Sequence, residues 1–337
     1  MKRGSVPAVT AIFLIFPLLL IGWLVLRSGR MSGFLRRWRQ RQTQPTPAIS
    51  PKPGEGQFDK TENIETLKDI TYRTVDGQTL TFDICRPKGL SSKRPAIILT
   101  HGGGFRTGSK YSLYPECQDL AKLGYIAFTL DYRLAPKYPY PVQIDDVQYA
   151  VRFIKANADK YLIDSSRLGS LGGSAGGYLA SILGLMDTRD PSQGLSNFSS
   201  KVQVVVNRFG VPMDMADPNL VRSDAQTAAF QEEILGDWLK GYEITDALYK
   251  EISAVTYASY DDAPMFALYS VNDQLALQSQ GQRIVDALKK VGVAAEFEPF
   301  NGKGRGHGYD NAAPAEKTRI WNLQMEFLRR YLPPIQS

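Results

Sequence analysis

Ser174 stands between two glycines in the pattern Gly172-x-Ser174-x-Gly176, and its surroundings suggest nucleophilic chemistry. An apolar run, Leu168 to Leu171, precedes the pattern and a helix-like stretch, Tyr178 to Met186, follows it, which is the strand-turn-helix context of a nucleophile elbow. Such a serine needs neighbours without side chains, because the backbone turns sharply and a carbonyl carbon must reach the hydroxyl. An ordinary glycine-rich turn is the alternative that the pattern alone leaves open.

Two histidines are available as a general base, His101 and His307. His101 belongs to a run of glycines, where we expect it to fix the shape of the loop through hydrogen bonds. His307 follows the last predicted strand and precedes the last predicted helix, which places it in a loop at the carboxyl edge of the sheet. An exposed loop histidine without a catalytic role is the alternative. We predict His307 as the base, since a nucleophilic serine without one would be inert.

A carboxylate should orient the imidazole of His307 and stabilise its charged form. Asp273 follows the predicted strand Met265 to Ser270 by a few residues, and the chain order Ser174, Asp273, His307 is one of the known orders of such triads. The rival carboxylates are less well placed. Asp310 is too near His307 in the sequence, and Glu296 and Glu298 lie inside a predicted strand. Asp261 and Asp262 precede the predicted strand Met265 to Ser270 and therefore lie at its wrong end. A turn aspartate without a catalytic role is the alternative for Asp273.

Three consecutive glycines follow the predicted strand Ala96 to Thr100, in His101-Gly102-Gly103-Gly104-Phe105. Glycines leave backbone N–H groups uncovered, so that these groups can donate hydrogen bonds to an oxyanion. Such loops also bind phosphate, but no Gly-Lys-Ser/Thr follows and the nearest lysine is Lys110, which argues against a P-loop.

The apolar pattern after residue 60 predicts an α/β fold. Ile70 to Val75 and Leu80 to Cys85 alternate apolar and polar residues around Asp76-Gly77, which predicts an antiparallel hairpin. Continuous apolar runs then alternate with helical segments, as in buried parallel sheets. We therefore predict a mostly parallel sheet with the hairpin at one edge and helices on both faces. The predicted parallel strands are Ala96 to Thr100, Tyr125 to Leu130, Leu168 to Leu171, Val202 to Val206, Met265 to Ser270 and Ala294 to Phe300.

The strand-helix alternation lapses between Met213 and Ala258, which we predict to be a small helical insertion over the carboxyl edge of the sheet. Its position between the elbow and the acid strand makes its aromatic residues candidates for the wall of a substrate pocket. For each of them, the core of the insertion itself is the alternative. The candidate pocket residues, including one from the glycine loop, are Phe105, Phe230, Trp238 and Tyr242.

The first 60 residues differ from the rest in composition. Val6 to Leu26 carries no charge and approaches the length of about 20 residues that crosses a bilayer, which predicts a transmembrane anchor in residues 1–41. This apolar stretch is longer than the apolar region of a typical signal peptide, which is the alternative interpretation. Residues 42–60 are rich in Pro, Thr, Gln and Gly, which is typical of a linker, so residues 61–337 form the predicted catalytic domain. Translation from Met31 would give a product without the span.

The formal net charge of +6 comes from the N-terminal segment. Without the eight basic residues of that segment, the rest of the chain has 32 basic and 34 acidic residues. The charge of this remainder is close to neutral and does not indicate nucleic-acid binding. Six of the eight follow the span, and the positive-inside rule therefore predicts a cytoplasmic catalytic domain. An outward-facing domain is the alternative, because Lys2 and Arg3 resemble the start of a signal sequence.

Cys85 and Cys117 are the only cysteines, and they lie in a predicted strand and a predicted helix. They lack the Cys-x-x-Cys spacing of a metal site. We predict two reduced thiols in the core, which agrees with a cytoplasmic domain.

Together the motifs resemble those of the α/β-hydrolase esterases of the hormone-sensitive-lipase-like group and the neighbouring bacterial feruloyl/acetyl esterases. The resemblance covers about residues 69–332. It rests on three motifs in the family's order: His101-Gly-Gly-Gly, Asp131-Tyr-Arg-Leu-Ala-Pro136 and Gly172-Gly-Ser-Ala-Gly-Gly177. Gly173 departs from the aspartate of many hormone-sensitive-lipase-like members and is similar to the feruloyl/acetyl branch, so the substrate class stays open.

The resemblance implies a serine carboxylesterase that works through an acyl-enzyme, with no metal or cofactor. Ser174 is similar to the family nucleophile, Asp273 and His307 are similar to its triad partners, and the implied oxyanion donors are Gly103, Gly104 and Ala175. Two other functions remain open: an amidase or formamidase on the same fold, and a catalytically inactive hydrolase-fold binding module. The expected partners are a small ester and, through the N-terminal helix, a lipid bilayer; the oligomeric state is not predicted. We expect Arg133 to be structural and to pair with Asp145 or Asp146.

Overall fold

The computed structural model describes residues 63–189, 194–217, 225–302, 307–309 and 312–335, with residues 225–230 described by their backbone alone. The residues from Thr61 onward form one compact unit. The predicted anchor, the linker and Met31 lie outside the described residues, so their predictions stay predictions. Within the described ranges, no helix combines the length and the apolar character needed to cross a membrane.

The described residues contain an eight-stranded sheet in the order β1-β2-β4-β3-β5-β6-β7-β8. β1 pairs antiparallel with β2, and β2 pairs antiparallel with β4, whereas all other neighbours are parallel. This arrangement confirms the mostly parallel sheet with a hairpin at one edge. The strands are β1 Ile64–Val75, β2 Gln78–Pro87, β3 Arg94–Thr100, β4 Ile126–Leu130, β5 Ile163–Gly173, β6 Val204–Arg208, β7 Met265–Ser270 and β8 Ala295–Phe300.

Seven α-helices connect these strands within the described residues. They are α1 Tyr114–Lys122, α2 Val142–Ala156, α3 Ala175–Leu185, α4 Ala225–Trp238, α5 Asp246–Ile252, α6 Gln278–Lys290 and α7 Pro314–Tyr331, with a single turn at Ala158–Tyr161. Two 3₁₀ helices, Lys110–Leu113 and Ala254–Tyr257, complete the set. Every residue of α3 is buried, which explains why this helix is apolar on all sides. The predicted insertion contains α4 and α5, as its helical pattern indicates.

The parallel strands bring the predicted site residues to one edge of the sheet. Four of these strands, β3, β5, β7 and β8, end shortly before His101, Ser174, Asp273 and His307, respectively. The carboxyl ends of parallel strands meet at one edge, which is where ligands bind in open α/β sheets. The topology therefore gathers residues that lie far apart in the sequence.

Cys85 of β2 and Cys117 of α1 form a disulfide, with their Cα atoms 5.6 Å apart and both side chains fully buried. The prediction of two reduced thiols is wrong. The sequence does not reveal the bond because the two cysteines are separated by 32 positions. They meet because α1 leads into β4, and β4 is the sheet neighbour of β2.

Removing the disulfide should lower the free energy of unfolding. For a closed loop of this size the chain-entropy relation gives about 3–4 kcal/mol, because the link restricts the unfolded chain. We expect the double variant Cys85→Ala/Cys117→Ala to unfold at a lower urea concentration, whereas dithiothreitol should shift only the parent. Two free thiols titrated in urea without reductant would contradict the disulfide.

Candidate active site

Ser174 occupies a strained turn between the end of β5 and the first residue of α3. Its backbone is left-handed, with φ of 58° and ψ of −128°, a conformation that costs a residue with a side chain on the order of 1–3 kcal/mol. The N–H of Ser174 donates to the carbonyl of Arg208 at 3.0 Å, and its own carbonyl accepts from the N–H of Tyr178 at 3.0 Å. This turn has the strand-turn-helix geometry expected of a nucleophile elbow.

Gly172 and Gly176 are glycines because neighbouring backbone leaves no space for a side chain. A Cβ atom at Gly172 would lie 2.2 Å from the carbonyl oxygen of Gly176, and one at Gly176 would lie 2.0 Å from that of Thr100. Both distances are far below any tolerated contact. The G-x-S-x-G pattern is therefore a steric requirement of the turn.

His307 and Asp273 are brought together by the loops after β8 and β7. His307 Nδ1 lies 2.8 Å from Oδ2 of Asp273, whose side chain is fully buried. The other carboxylate oxygen accepts the N–H groups of Leu275 and Ala276 at 2.9 Å each. Since a carboxylate accepts, Nδ1 donates, and Nε2 is the acceptor of the ring in its neutral form. Nε2 is buried and has no hydrogen-bond partner among the described residues.

Four rival carboxylates have other partners. Asp261 and Asp262 both bind Lys201. The two on β8 pair with arginines of α7: Glu296 with Arg330, and Glu298 with Arg319. Asp310 lies outside the described residues.

The glycine loop lies against the elbow. A Cβ atom at Gly102 would be 3.3 Å from Cβ of Ser174. Gly103 and Gly104 have left-handed backbones, with φ of 117° and 61°. Their N–H groups, like that of Ala175 at the start of α3, form no hydrogen bond with any residue that the structure describes. Three uncommitted amides therefore lie in the segments that flank Ser174.

His101 has a structural role, as expected. Its ring is buried and stacks on Tyr132 with centroids 4.1 Å apart. The Tyr132 hydroxyl donates to the His101 carbonyl at 2.7 Å, and His101 Nδ1 lies 2.8 Å from the carbonyl of Gly102. Burial lowers the pKa of His101, so the ring stays neutral and stabilises the loop.

The aromatic residues predicted for the pocket have different positions. Trp238 is fully buried and stacks on the buried ring of Phe105, with centroids 4.1 Å apart, and the pocket roles of both residues stay predictions. Tyr242 is 45% exposed and packs edge-on against Tyr140. The side chain of Phe230 lies outside the described residues. The pocket roles of Phe230 and Tyr242 therefore stay predictions.

Phe209 is a site residue that the sequence analysis missed. It follows β6 with φ of 43°, and its ring packs edge-on against His307 and Tyr309, with centroids 5.2 Å away in each case. Beneath Tyr309, the buried guanidinium of Arg208 binds Glu116 at 3.1 Å. The sequence could have indicated Phe209 by its position, because an aromatic residue at the carboxyl end of a buried strand adjoins the site.

Arg133 pairs with Asp146, one of its two expected partners. Its Nε and Nη2 atoms lie 2.8 and 2.9 Å from the two carboxylate oxygens, and all of these groups are buried. Asp145 instead binds Arg189 at 3.1 Å. The pair ties the segment after β4 to α2.

Comparison with known proteins gives one family and several relatives. The BD-FAE family model matches residues 82–288, which is more than half of the chain. The chain belongs to the BD-FAE family. It is 30% identical over 240 residues to the probable carboxylic ester hydrolase LipM of Mycobacterium tuberculosis, covering 66% of this chain and 52% of LipM. It is 26% identical to the carboxylesterase NlhH of the same species, covering 82% of each.

Solved structures support the fold of this BD-FAE chain. Esterase Est2 of Thermogutta terrifontis with butyrate bound has a TM-score of 0.66 at 22% identity, covering 82% of this chain and 98% of Est2. At that identity the likeness shows the α/β-hydrolase fold alone. The chain spans 52–61% of the length of the first three curated relatives. Among the described residues, no group of three or more His, Cys, Asp or Glu could hold a metal ion.

Replacing Gly176 with Ala should destabilise the BD-FAE domain by several kcal/mol, because the new methyl group would overlap the carbonyl of Thr100. Gly236→Ala is the matched control, since Gly236 lies in α4 with no atom near the added Cβ. This control should gain about 0.5–1 kcal/mol from helix propensity. Urea unfolding of the two variants measures the difference, and equal midpoints would refute the steric argument.

Proposed function

We propose that this chain hydrolyses carboxylic esters through an acyl-enzyme intermediate on Ser174. The observation that carries the proposal is the hydrogen bond from His307 to Asp273, which leaves Nε2 of His307 as a buried acceptor with no partner among the residues that the structure describes. Such an acceptor is what a serine hydroxyl needs to lose its proton. The similarity to LipM, a probable carboxylic ester hydrolase, and to NlhH, a carboxylesterase, supports esters as the substrate class.

In the first half of the proposed reaction, Oγ of Ser174 attacks the ester carbonyl carbon while its proton passes to Nε2 of His307. Asp273 stabilises the imidazolium that forms. The carbonyl oxygen becomes an oxyanion, which accepts hydrogen bonds from the free amides of Gly103, Gly104 and Ala175. When the tetrahedral intermediate collapses, the alcohol takes the proton from His307 and the acyl group stays on the serine.

In the second half, water replaces the alcohol. His307 removes a proton from the water as it attacks the acyl carbon, and the same amides stabilise the second oxyanion. Collapse returns the proton to Oγ of Ser174 and releases the carboxylic acid. The catalytic groups used in both halves are Ser174, His307, Asp273 and the three amides, and the residue after Gly104, Phe105, stacks on Trp238.

Two features of the chain bear on which side of the membrane the catalytic domain lies. The arginines after Val6 to Leu26 favour a cytoplasmic domain, whereas the disulfide favours an oxidising compartment, because cytosolic thiols are kept reduced. We propose a membrane anchor at residues 6–26 with the catalytic domain on the oxidising side. The disulfide has the greater weight, since the positive-inside rule has exceptions and Lys2 and Arg3 supply charge on the other side.

Loss of a triad residue should abolish turnover. We expect Ser174→Ala and His307→Ala each to lower kcat for p-nitrophenyl butyrate by roughly 10⁴-fold or more, and the double variant to be little worse, because the residues act as a unit. Ser166→Ala is the control, since this exposed serine bonds only to nearby Asp164 in the described structure. Additive losses, or fast labelling of Ser174→Ala by a fluorophosphonate, would refute the assignment.

The proposed topology predicts which side of the membrane is accessible. Protease added to intact spheroplasts should cut the chain within residues 42–60 and release the active domain. Maleimide-polyethylene glycol added after denaturation without reductant should modify no cysteine, and after reduction it should modify both. Protection of the domain in intact spheroplasts would show a cytoplasmic domain instead, and two modified cysteines before reduction would remove the disulfide on which the proposed orientation rests.

A further inference from the structure

The glycine loop and the residues after it, His101 to Thr107, are called the oxyanion loop from here on. This loop has an unusual backbone that its own hydrogen bonds do not fix completely. Gly103, Gly104 and Phe105 are three consecutive left-handed residues. Within the loop, the N–H groups of Arg106 and Thr107 donate to the carbonyl of Gly103 at 3.0 and 3.1 Å. These bonds close the turn, but they do not set where the amides of Gly103 and Gly104 point relative to Ser174. Contacts from outside the loop must do so.

Helix α4 of the insertion supplies contacts to three consecutive residues of the loop. Ile234 lies opposite Gly104, where a Cβ atom would be 3.2 Å from its Cδ1. The ring of Phe105 stacks on Trp238 with an interplanar angle of 10°. Trp238 is itself held, because its indole N–H donates to Gln143 at 3.0 Å.

Arg106 binds two carboxylates on one face of α4. Its Nη2 lies 3.0 Å from Oε1 of Glu233, and its Nε lies 2.8 Å from Oδ2 of Asp237. These acids are four residues apart, which places them one above the other on a helix. The Arg106 side chain is 24% exposed, and its ion pairs connect α4 to the residue that directly follows the three left-handed residues.

We propose that α4 positions the oxyanion loop, with Arg106 as the positioning residue that couples the insertion to turnover at Ser174. The inference rests on the proposed esterase function. The ion pairs and the Phe105 stack hold the loop so that its amides face the developing oxyanion. A loop released from α4 would bind the ester ground state almost as before, but it would stabilise the tetrahedral transition state less well.

The test compares Arg106→Gln with Arg319→Gln, which removes an arginine that also binds two carboxylates, Glu316 and Glu298, on another part of the surface. For p-nitrophenyl butyrate, Arg106→Gln should lower kcat about tenfold with KM within twofold of the parent. Its affinity for a trifluoromethyl ketone, which forms a tetrahedral oxyanion adduct, should fall by the same factor as kcat/KM. Arg319→Gln should leave all three quantities unchanged.

Two further variants separate positioning from general destabilisation. Arg106→Lys retains the charge and one carboxylate contact, so it should recover part of the lost kcat. Adding Glu233→Gln and Asp237→Asn to Arg106→Gln should cause no further loss, because their shared partner is already absent. Parental kcat and ketone affinity in Arg106→Gln would overturn the proposal, as would a loss of kcat with unchanged ketone affinity. A parent that neither turns over esters nor reacts with a fluorophosphonate would instead refute the proposed function.

Discussion

The close approach of three backbone segments around Ser174 is the constraint on which the site depends. The carbonyl of Thr100 at the end of β3 lies where a Cβ of Gly176 would be, and the Thr100 hydroxyl donates to the Gly176 carbonyl at 2.7 Å. Because β3 and β5 are neighbours in the sheet, this contact locks the start of α3 against the strand that leads into the oxyanion loop. Ser174 and the amide of Ala175 are thereby held on rigid backbone, whereas the amides of Gly103 and Gly104 lie in the loop that follows β3.

Asp273 and His307, the proposed acid and base, reach the same edge by a different means. Asp273 and His307 lie in loops after β7 and β8, and their geometry rests on hydrogen bonds instead of close packing. The carboxylate has three such bonds, so its position is fixed, whereas the imidazole is 27% exposed and is bounded by the ring of Phe209. The role proposed for His307 agrees with this difference, because a base that abstracts and returns a proton must respond to the serine and the leaving group while its carboxylate stays in place.

Much of this arrangement can be predicted from the sequence, because its signals are local. The apolar runs predict the strands, with Met265–Ser270 matching β7 at both ends, and the glycine motifs mark the elbow and the loop. The helix after the elbow begins at Ala175, three residues before the predicted Tyr178, because close packing of Gly176 on the end of β3 and of Gly177 on β6 overrides their low helix propensity. The disulfide and the burial of Trp238 depend on which elements become neighbours, and no local pattern of residues records that.

The departure at Gly173 also has a structural reason that lies elsewhere in the chain. A Cβ atom there would be 3.0 Å from Cε2 of Phe209, whose left-handed backbone turns the ring toward the elbow and His307. The N–H of Phe209 donates to the carbonyl of Leu268 on β7 at 2.7 Å, which ties this turn to the strand before Asp273. A larger residue before Ser174 would therefore displace a ring that packs against His307. The residue at position 173 and the aromatic residue after β6 are constrained together, so the glycine at this position preserves the packing around His307 as much as the turn at Ser174.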